Sequence, residues 1–135
     1  GTGTTNVSDG DVLAWTQEVY DDASIHSTSS NVDRLTVPSG VTRVRLSAQI
    51  KEFNLSAAHS IGMFILKNST SSVDAVAISS AYFASGTSST MQVFTPVFEV
   101  TGGDWFVVYV THDAGSAIDV GVEPHETWFH MTVEQ

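Results

Sequence analysis

The sequence of 135 residues contains no cysteine, three prolines and only five basic residues against fifteen acidic ones. The absence of cysteine excludes disulfide bonds, cysteine–zinc sites and thiol catalysis. Five lysines and arginines cannot build the clustered basic surface that nucleic acids require, so we expect no nucleic-acid partner. No apolar run approaches the roughly 18 residues of a membrane-spanning helix, so we also expect no membrane insertion.

What the chain does contain is a series of short stretches rich in β-branched and aromatic residues. From Val44 to Ile50, apolar residues alternate strictly with polar ones, which is typical of a strand with one buried face. The alternation shifts at Glu52–Phe53, which predicts a bulge or the strand end there. Further strands are predicted over residues 34–37, 60–67, 73–84, 91–100, 105–111 and 127–134.

Residues 12–20 fit two patterns. Val12, Trp15 and Val19 have the spacing of a helix, whereas the β-branched and aromatic content suits a strand. We favour the strand because every other predicted element is β. About eight short strands with turn residues between them indicate a sandwich, a jelly roll or a barrel. We expect residues 9–135 to form one domain and residues 1–8 to be a linker or shaft-proximal segment.

Two of the predicted strands, 60–67 and 105–111, are apolar on both faces. A sandwich of this size has no third layer to cover the second face, so these strands predict a subunit interface; the alternative is a crowded core with a covering loop. Alternation also places basic residues on one face of a strand, either as a polar outer surface or as contacts to a neighbouring subunit. The predicted interface residues are Met63, Ile65, Trp105, Val107 and Tyr109, with Arg43 and Arg45.

Several motifs, taken in order, resemble the tumour-necrosis-factor-like and complement-globular-head-like jelly-roll domains. They are Val19-Tyr20-Asp21-Asp22, Leu35-Thr36-Val37-Pro38-Ser39-Gly40, Leu66-Lys67-Asn68, Gly102-Gly103-Asp104 and Trp128-Phe129-His130-Met131. Ser69 and His130 stand where this family usually has glycine. The resemblance covers residues 12–134 and is nearest to domains of phage tail fibres and head spikes. It implies an all-β homotrimer of jelly rolls, each with about 8–10 antiparallel strands, that binds a ligand and catalyses nothing.

Consecutive antiparallel strands reverse direction, which places loops 21–32, 54–60, 84–90 and 112–126 at one end of the sandwich and both termini at the other. Imidazole and carboxylate groups gathered at that end could bind a divalent metal, but no ligand spacing supports a metal or another cofactor. Alternatively, these histidines and carboxylates are simply scattered over a polar surface. The ligand-binding residues predicted at this end are Asn54, His59, Ser85, Thr87, His112, Asp113, His125 and Glu126.

No catalytic motif is present, so we expect a domain that is not an enzyme. The resemblance predicts an extracellular domain on a virion surface, the distal knob of a phage-type fibre or spike. It would attach to the shaft or capsid through its N-terminus and bind a host cell-surface glycan or protein. The alternatives are a purely structural trimerisation or capsid-decoration module and a carbohydrate-binding accessory module. Trp15, Trp105 and Trp128 are either sugar-stacking or core residues, and the excess acid disfavours a polyanionic ligand.

Overall fold

The structure is a computed structural model and describes residues 4–15, 25, 31–53, 58–86 and 88–134. Within these ranges the chain forms two antiparallel sheets and one short 3-10 helix, Ser72–Asp74, which confirms the all-β prediction. The strands are β1 (Thr4–Val7), β2 (Asp11–Val12), β3 (Arg34–Thr36), β4 (Arg43–Phe53), β5 (His59–Lys67), β6 (Ala75–Phe83), β7 (Ser89–Phe94), β8 (Phe98–Glu99), β9 (Trp105–His112), β10 (Ile118–Gly121) and β11 (Trp128–Glu134).

Each sheet is organised around one or two long central strands. In the first sheet, β10 and β11 lie along one edge of β4, β7 and β8 lie along the other, and β1 pairs with the outside of β10. In the second sheet, β5 and β9 are paired at the centre, β2 and β3 lie outside β9, and β6 lies outside β5. The two edges formed by β6 and by β7 contact each other.

The core lies between the two sheets, and the alternation in the sequence determines what enters it. On β4, Val44, Leu46, Ala48 and Ile50 are buried while the residues that alternate with them face outward, as predicted. The second sheet supplies the opposing inward side chains. These are Leu35, Ile61, Met63, Ile65, Phe83, Phe106, Val108 and Val110.

Of the two alternatives predicted at Glu52–Phe53, the strand end is confirmed and the bulge is not found. The buried positions of β4 continue in step through Glu52, and the strand ends only at Phe53. A glutamate therefore occupies the last inward position of a core strand. The sequence offered no reason to expect this, because an ionisable side chain is rarely buried without a partner.

Three other boundaries also differ from the sequence predictions. The predicted strand 91–100 is two strands, because Pro96 lacks the N–H that a continuous ladder needs. The predicted loop 112–126 contains β10, which pairs with both β1 and β4. The predicted linker is wrong for Thr4–Val7, since this segment is a strand of the first sheet and Val7 is buried. Of the uncertain stretch 12–20, the described residues are 12–15, and among these only Val12 lies in a strand, β2; residues 16–20 lie outside the described ranges.

The register of the strands shows which connections share an end of the sandwich. Phe83 pairs with His59, and Asp119 pairs with Phe53, so β4 and β6 end where β5 and β10 begin. We call this the loop end; it includes the connections 84–88 and 113–117. The prediction from strand direction is confirmed for these two connections, whereas residues 122–127 turn back along β4 instead of staying at this end. Most residues of the predicted loops 21–32 and 54–60 lie outside the described ranges.

The opposite end contains the turns before β4, after β5 and before β9. Asp104 anchors this end, since its carboxylate accepts hydrogen bonds from Asn68 Nδ2 (3.0 Å) and from the Thr101 amide (2.9 Å). These two bonds, together with Lys67 nearby, lower the pKa of the Asp104 carboxyl below its ordinary value. Glu134 pairs with Arg43, so the last strand also ends here.

The turn before β9 has two glycines with different roles. Gly103 adopts a φ of +94°, which favours glycine, whereas a Cβ on Gly102 would lie 3.0 Å from Ser39 Cα and 3.2 Å from the Pro38 carbonyl oxygen. Because these contacts are with backbone atoms, we expect Gly102→Ala to lower the free energy of unfolding by about 1–3 kcal/mol. Urea denaturation measures this, with Thr101→Ala as the exposed control; equal stability of both variants would contradict the close approach.

Candidate functional site

The predicted ligand-binding residues do not form one surface. His59 and His112 are buried, so their assignment as surface contacts is wrong; both occupy inward-facing positions at the loop end of the core. Ser85 and Asp113 are exposed at the loop end, but one Asp113 carboxylate oxygen accepts the Ser60 amide (2.7 Å) and so secures the start of β5. Asn54 and Thr87, together with His26, lie outside the described residues.

The remaining two predicted ligand residues, His125 and Glu126, lie on the flank of the first sheet. Gln49 Nε2 donates to the Glu126 carbonyl oxygen (2.9 Å), which holds this turn against the outward face of β4. The Glu126 side chain is half-buried beside Gly121, where a Cβ would come within 2.6 Å of its Oε1. This pair is therefore separate from the exposed residues of the loop end.

The predicted interface on the second sheet is largely covered within a single chain. Met63 and Ile65 belong to the core between the sheets, and Val107 is fully buried on the outer side, so none of the three is available to a neighbour. Tyr109 is half-buried and packs edge-on against Phe64, with ring centroids 5.6 Å apart. Most of the apolar side chains on both faces of these two strands are thus buried within one chain. This is the crowded core that the sequence left open as the alternative to a subunit interface.

Trp105, the last of the predicted apolar contacts, is covered by a charged side chain. The Arg34 guanidinium carbon lies 3.9 Å from the centre of a Trp105 ring, a cation–π contact on the outer face of the second sheet. Arg43 and Arg45 lie on the opposite face of the sandwich, where Arg45 pairs with Glu134 (3.1 Å) and Arg43 lies opposite Glu99. Their neighbours in this structure are acidic residues of the same chain.

The exposed large hydrophobic side chains of the described residues are concentrated elsewhere, along one edge of the sandwich. All of them fall between residues 73 and 97, in the 3-10 helix, β6, β7 and the connection that follows β7. We call this region the apolar edge. Its members are Val73, Val76, Ile78, Tyr82, Phe94 and Val97, with Ile78, Tyr82 and Phe94 exposed by 60%, 69% and 61%.

The larger side chains of strand β6 point away from the core, which is the reverse of the usual arrangement in a surface strand. Val76, Ile78 and Tyr82 point outward, while the small residues Ala77 and Ala81 point toward the core. The outer backbone edge of β6 contacts β7 of the other sheet but forms no strand pair with it, since β6 pairs only with β5 among the described strands. A long apolar edge strand without charge or proline is a surface prepared for pairing or packing with another chain.

From residue 75 onward, the apolar edge is also free of charge. From residue 75 to residue 98 the sequence has no charged residue, although the whole chain carries a formal charge of −10. Two copies of such an acidic chain repel each other, and the repulsion is smallest where no carboxylate is brought close. This uncharged run is visible in the sequence and was the signal that the prediction of the interface missed.

The comparison with known proteins identifies no family, since no protein-family model and no curated protein matches the sequence. Across the described residues, no three His, Asp or Glu side chains form a group that could hold a metal ion. The described ranges likewise contain no helix long and apolar enough to cross a membrane.

Proposed function

We propose that the chain is a trimeric jelly-roll domain of the virion surface, the distal knob of a phage-type fibre or spike that attaches to a host-cell glycan or protein. The observation that carries the proposal is the apolar edge, an uncharged and exposed hydrophobic surface on a chain that is otherwise strongly acidic. Surfaces of this kind mark interfaces between proteins. The edge supports the assembly that the sequence resemblance implies.

The strand order supports the jelly-roll part of the proposal. Because β2 and β3, β7 and β8, and β10 and β11 each share one edge of a central strand, the eleven strands occupy eight positions, four in each sheet. From β4 onward the chain crosses between the sheets after β4, β6, β8 and β9. A jelly roll has eight strands in two antiparallel sheets, so this arrangement supports the proposal.

A closed trimer needs two different contact surfaces on each subunit, because threefold contacts are heterologous. The apolar edge supplies one of them, and it replaces the residues of β5 and β9 that the sequence suggested. Burying side chains as exposed as Ile78 and Tyr82 would contribute about 25 cal/mol for each Å² of apolar surface removed from water. Three copies of the ligand-binding end would then act together, which makes weak individual contacts useful.

The position of the ends supports an adhesive role. The last strand ends opposite the loop end, and β1 runs toward the loop end from its first residue, Thr4, which pairs with Gly121. A shaft joined at the N-terminus would leave the loop end, with Ser85 and Asp113, facing outward. The net charge of −10 favours a neutral glycan or a basic protein surface as the ligand.

One observation favours a second candidate, a structural trimerisation or capsid-decoration module without a receptor. The burial of His59 and His112 removes two of the residues expected to contact a ligand at the loop end. Binding of the isolated domain to host cells and to a glycan array separates the candidates. Binding supports the adhesive knob, and its absence from a correctly assembled trimer supports the structural module.

The substitution Ile78→Asp tests the assembly. A carboxylate at the centre of a buried interface would lose its hydration without a partner, so we expect the trimer to dissociate into monomers. In the single chain Ile78 points into solvent, so the fold and its circular dichroism spectrum should be retained. Sedimentation velocity measures the mass.

Thr42→Asp is the matched control, because it introduces the same negative charge at an exposed residue outside the apolar edge. It should remain a trimer. A wild type that sediments as a monomer would contradict the trimer, and a trimer that survives Ile78→Asp would place the interface on another surface.

A further inference from the structure

A buried acid–base pair joins the two sheets at the loop end. Glu52 is the last inward residue of β4 in the first sheet, and His59 is the first residue of β5 in the second. His59 Nε2 lies 2.9 Å from Glu52 Oε1 and 3.0 Å from Oε2, and each side chain is only 2% exposed. The pair therefore fastens both sheets at the loop end.

A second histidine lies behind the pair and is fixed by two backbone contacts. His112 Nε2 is 2.9 Å from the Val7 carbonyl oxygen, so this nitrogen carries a hydrogen and donates it. His112 Nδ1 accepts the Ala114 amide hydrogen at 3.3 Å. The ring centres of His59 and His112 are 6.2 Å apart. A proton added to Nδ1 would face the Ala114 hydrogen and break the contact that holds the start of loop 113–117.

The charged groups around this cluster are acidic. Asp119 on β10 raises the energy of a charged Glu52, Asp9 accepts the His112 amide (2.9 Å), and Asp113 accepts the Ser60 amide. The nearest cation along the chain, Lys51, turns to the other face of β4, with its ammonium 4.9 Å from the Phe53 ring centre. Besides the two imidazoles, these residues offer Glu52 no positive partner.

Burial is the dominant influence on Glu52. It raises the pKa of the carboxyl above the ordinary value of 4.5, and the hydrogen bond and charge of His59, followed by the charge of His112, offset this only in part. Because the pair is out of water, the arrangement with no net charge is favoured over one with a lone carboxylate.

We propose that the Glu52–His59 pair, with His112 behind it, is a pH-responsive link between the two sheets, which holds the loop end together most firmly when the pair carries an extra proton. The link lies within one chain, so it is independent of the proposed assembly. It would make the loop end firmer in mildly acidic surroundings than at neutral pH.

The direction of the effect follows from linkage. The pKa of Glu52 in the folded state lies above its unfolded value, so its contribution to stability is complete below about pH 4.5 and is lost as the pH rises through the folded value. The other carboxylates also make the stability of this acidic chain depend on pH. The informative quantity is therefore the difference between the wild type and a variant that cannot titrate at this position.

Glu52→Gln is that variant, because it keeps the shape and a hydrogen-bond acceptor for His59 but cannot ionise. We expect its urea midpoint relative to that of the wild type to rise as the pH increases above about 4.5. Glu99→Gln, which removes an exposed carboxylate from β8, should show a constant difference over the same range. Sedimentation at each pH separates any change of assembly from the change in folding.

The imidazole signals provide a second readout. Nitrogen-15 shifts of the histidine rings report which nitrogen carries the proton, and the contact with the Val7 carbonyl oxygen predicts a hydrogen on Nε2 of His112. In the wild type, the nitrogen-15 signals of His59 should shift over the same pH range as the urea midpoint relative to Glu52→Gln. In Glu52→Gln, the His59 signals should no longer shift over that range. A difference between Glu52→Gln and the wild type that is constant across the pH range would overturn the proposal.

Discussion

Replacing Glu52 with alanine is expected to lower the free energy of unfolding by about 3–5 kcal/mol at neutral pH. The change removes the carboxylate that His59 contacts at 2.9 Å, and it leaves the imidazole in a core position without its acidic partner. It also leaves a cavity between the sheets, since Glu52 is among the largest fully buried side chains. Urea denaturation followed by tryptophan fluorescence measures the loss.

Two further variants separate the contact from the volume. Glu52→Gln should retain or exceed the stability of the wild type at neutral pH, because it avoids burying a carboxylate. In a double-mutant cycle with His59→Ala, the combined loss should be smaller than the sum of the single losses, since the two residues share one interaction. A loss for Glu52→Ala below about 1 kcal/mol would mean that the pair does not fasten the sheets.

The same pair shows where prediction from the sequence stops. The alternation from Val44 to Ile50 identified the face of β4 that enters the core, because side chains of a strand point to opposite sides in turn. Glu52 continues that alternation, but a glutamate at an inward position resembles a strand end. Only the tertiary structure brings His59 of the other sheet to within hydrogen-bonding distance and makes the inward position acceptable.

Strand β10 was missed for a related reason. Its four residues include Asp119 and Gly121, which are typical of turns, and it lies in a stretch with several other turn-forming residues. Its place in the sheet depends on pairing with β1 and β4, which are distant in the sequence. Short strands of this kind are determined by their partners rather than by their own residue preferences.

The apolar edge was not predicted from the sequence, for a third reason. In β6 the larger residues alternate with small ones, and an alternating pattern shows that the two faces differ without showing which face is buried. The ordinary expectation places Ile78 and Tyr82 inside, whereas the structure places Ala77 and Ala81 there. The uncharged run around β6 was a usable signal in the sequence, because charged residues normally protect an exposed edge.

The second large effect is expected in binding rather than in folding. If the domain is an adhesive trimer, Ile78→Asp should weaken attachment to host cells by about 10²- to 10⁴-fold, because three linked contacts become one. The loop end is unchanged in this variant, since Ile78 lies near the middle of β6 on its exposed face. Surface plasmon resonance on immobilised host envelopes measures the loss, which should appear mainly as faster dissociation.

A fused trimeric coiled coil distinguishes lost valency from a damaged binding surface. Attached at the N-terminus of Ile78→Asp, it should restore most of the attachment, while Thr42→Asp should bind like the wild type without it. Failure of the fusion to restore binding would mean that the apolar edge itself contacts the host. Attachment of the monomeric variant with wild-type strength would show that the domain binds through single copies and that the edge serves another purpose.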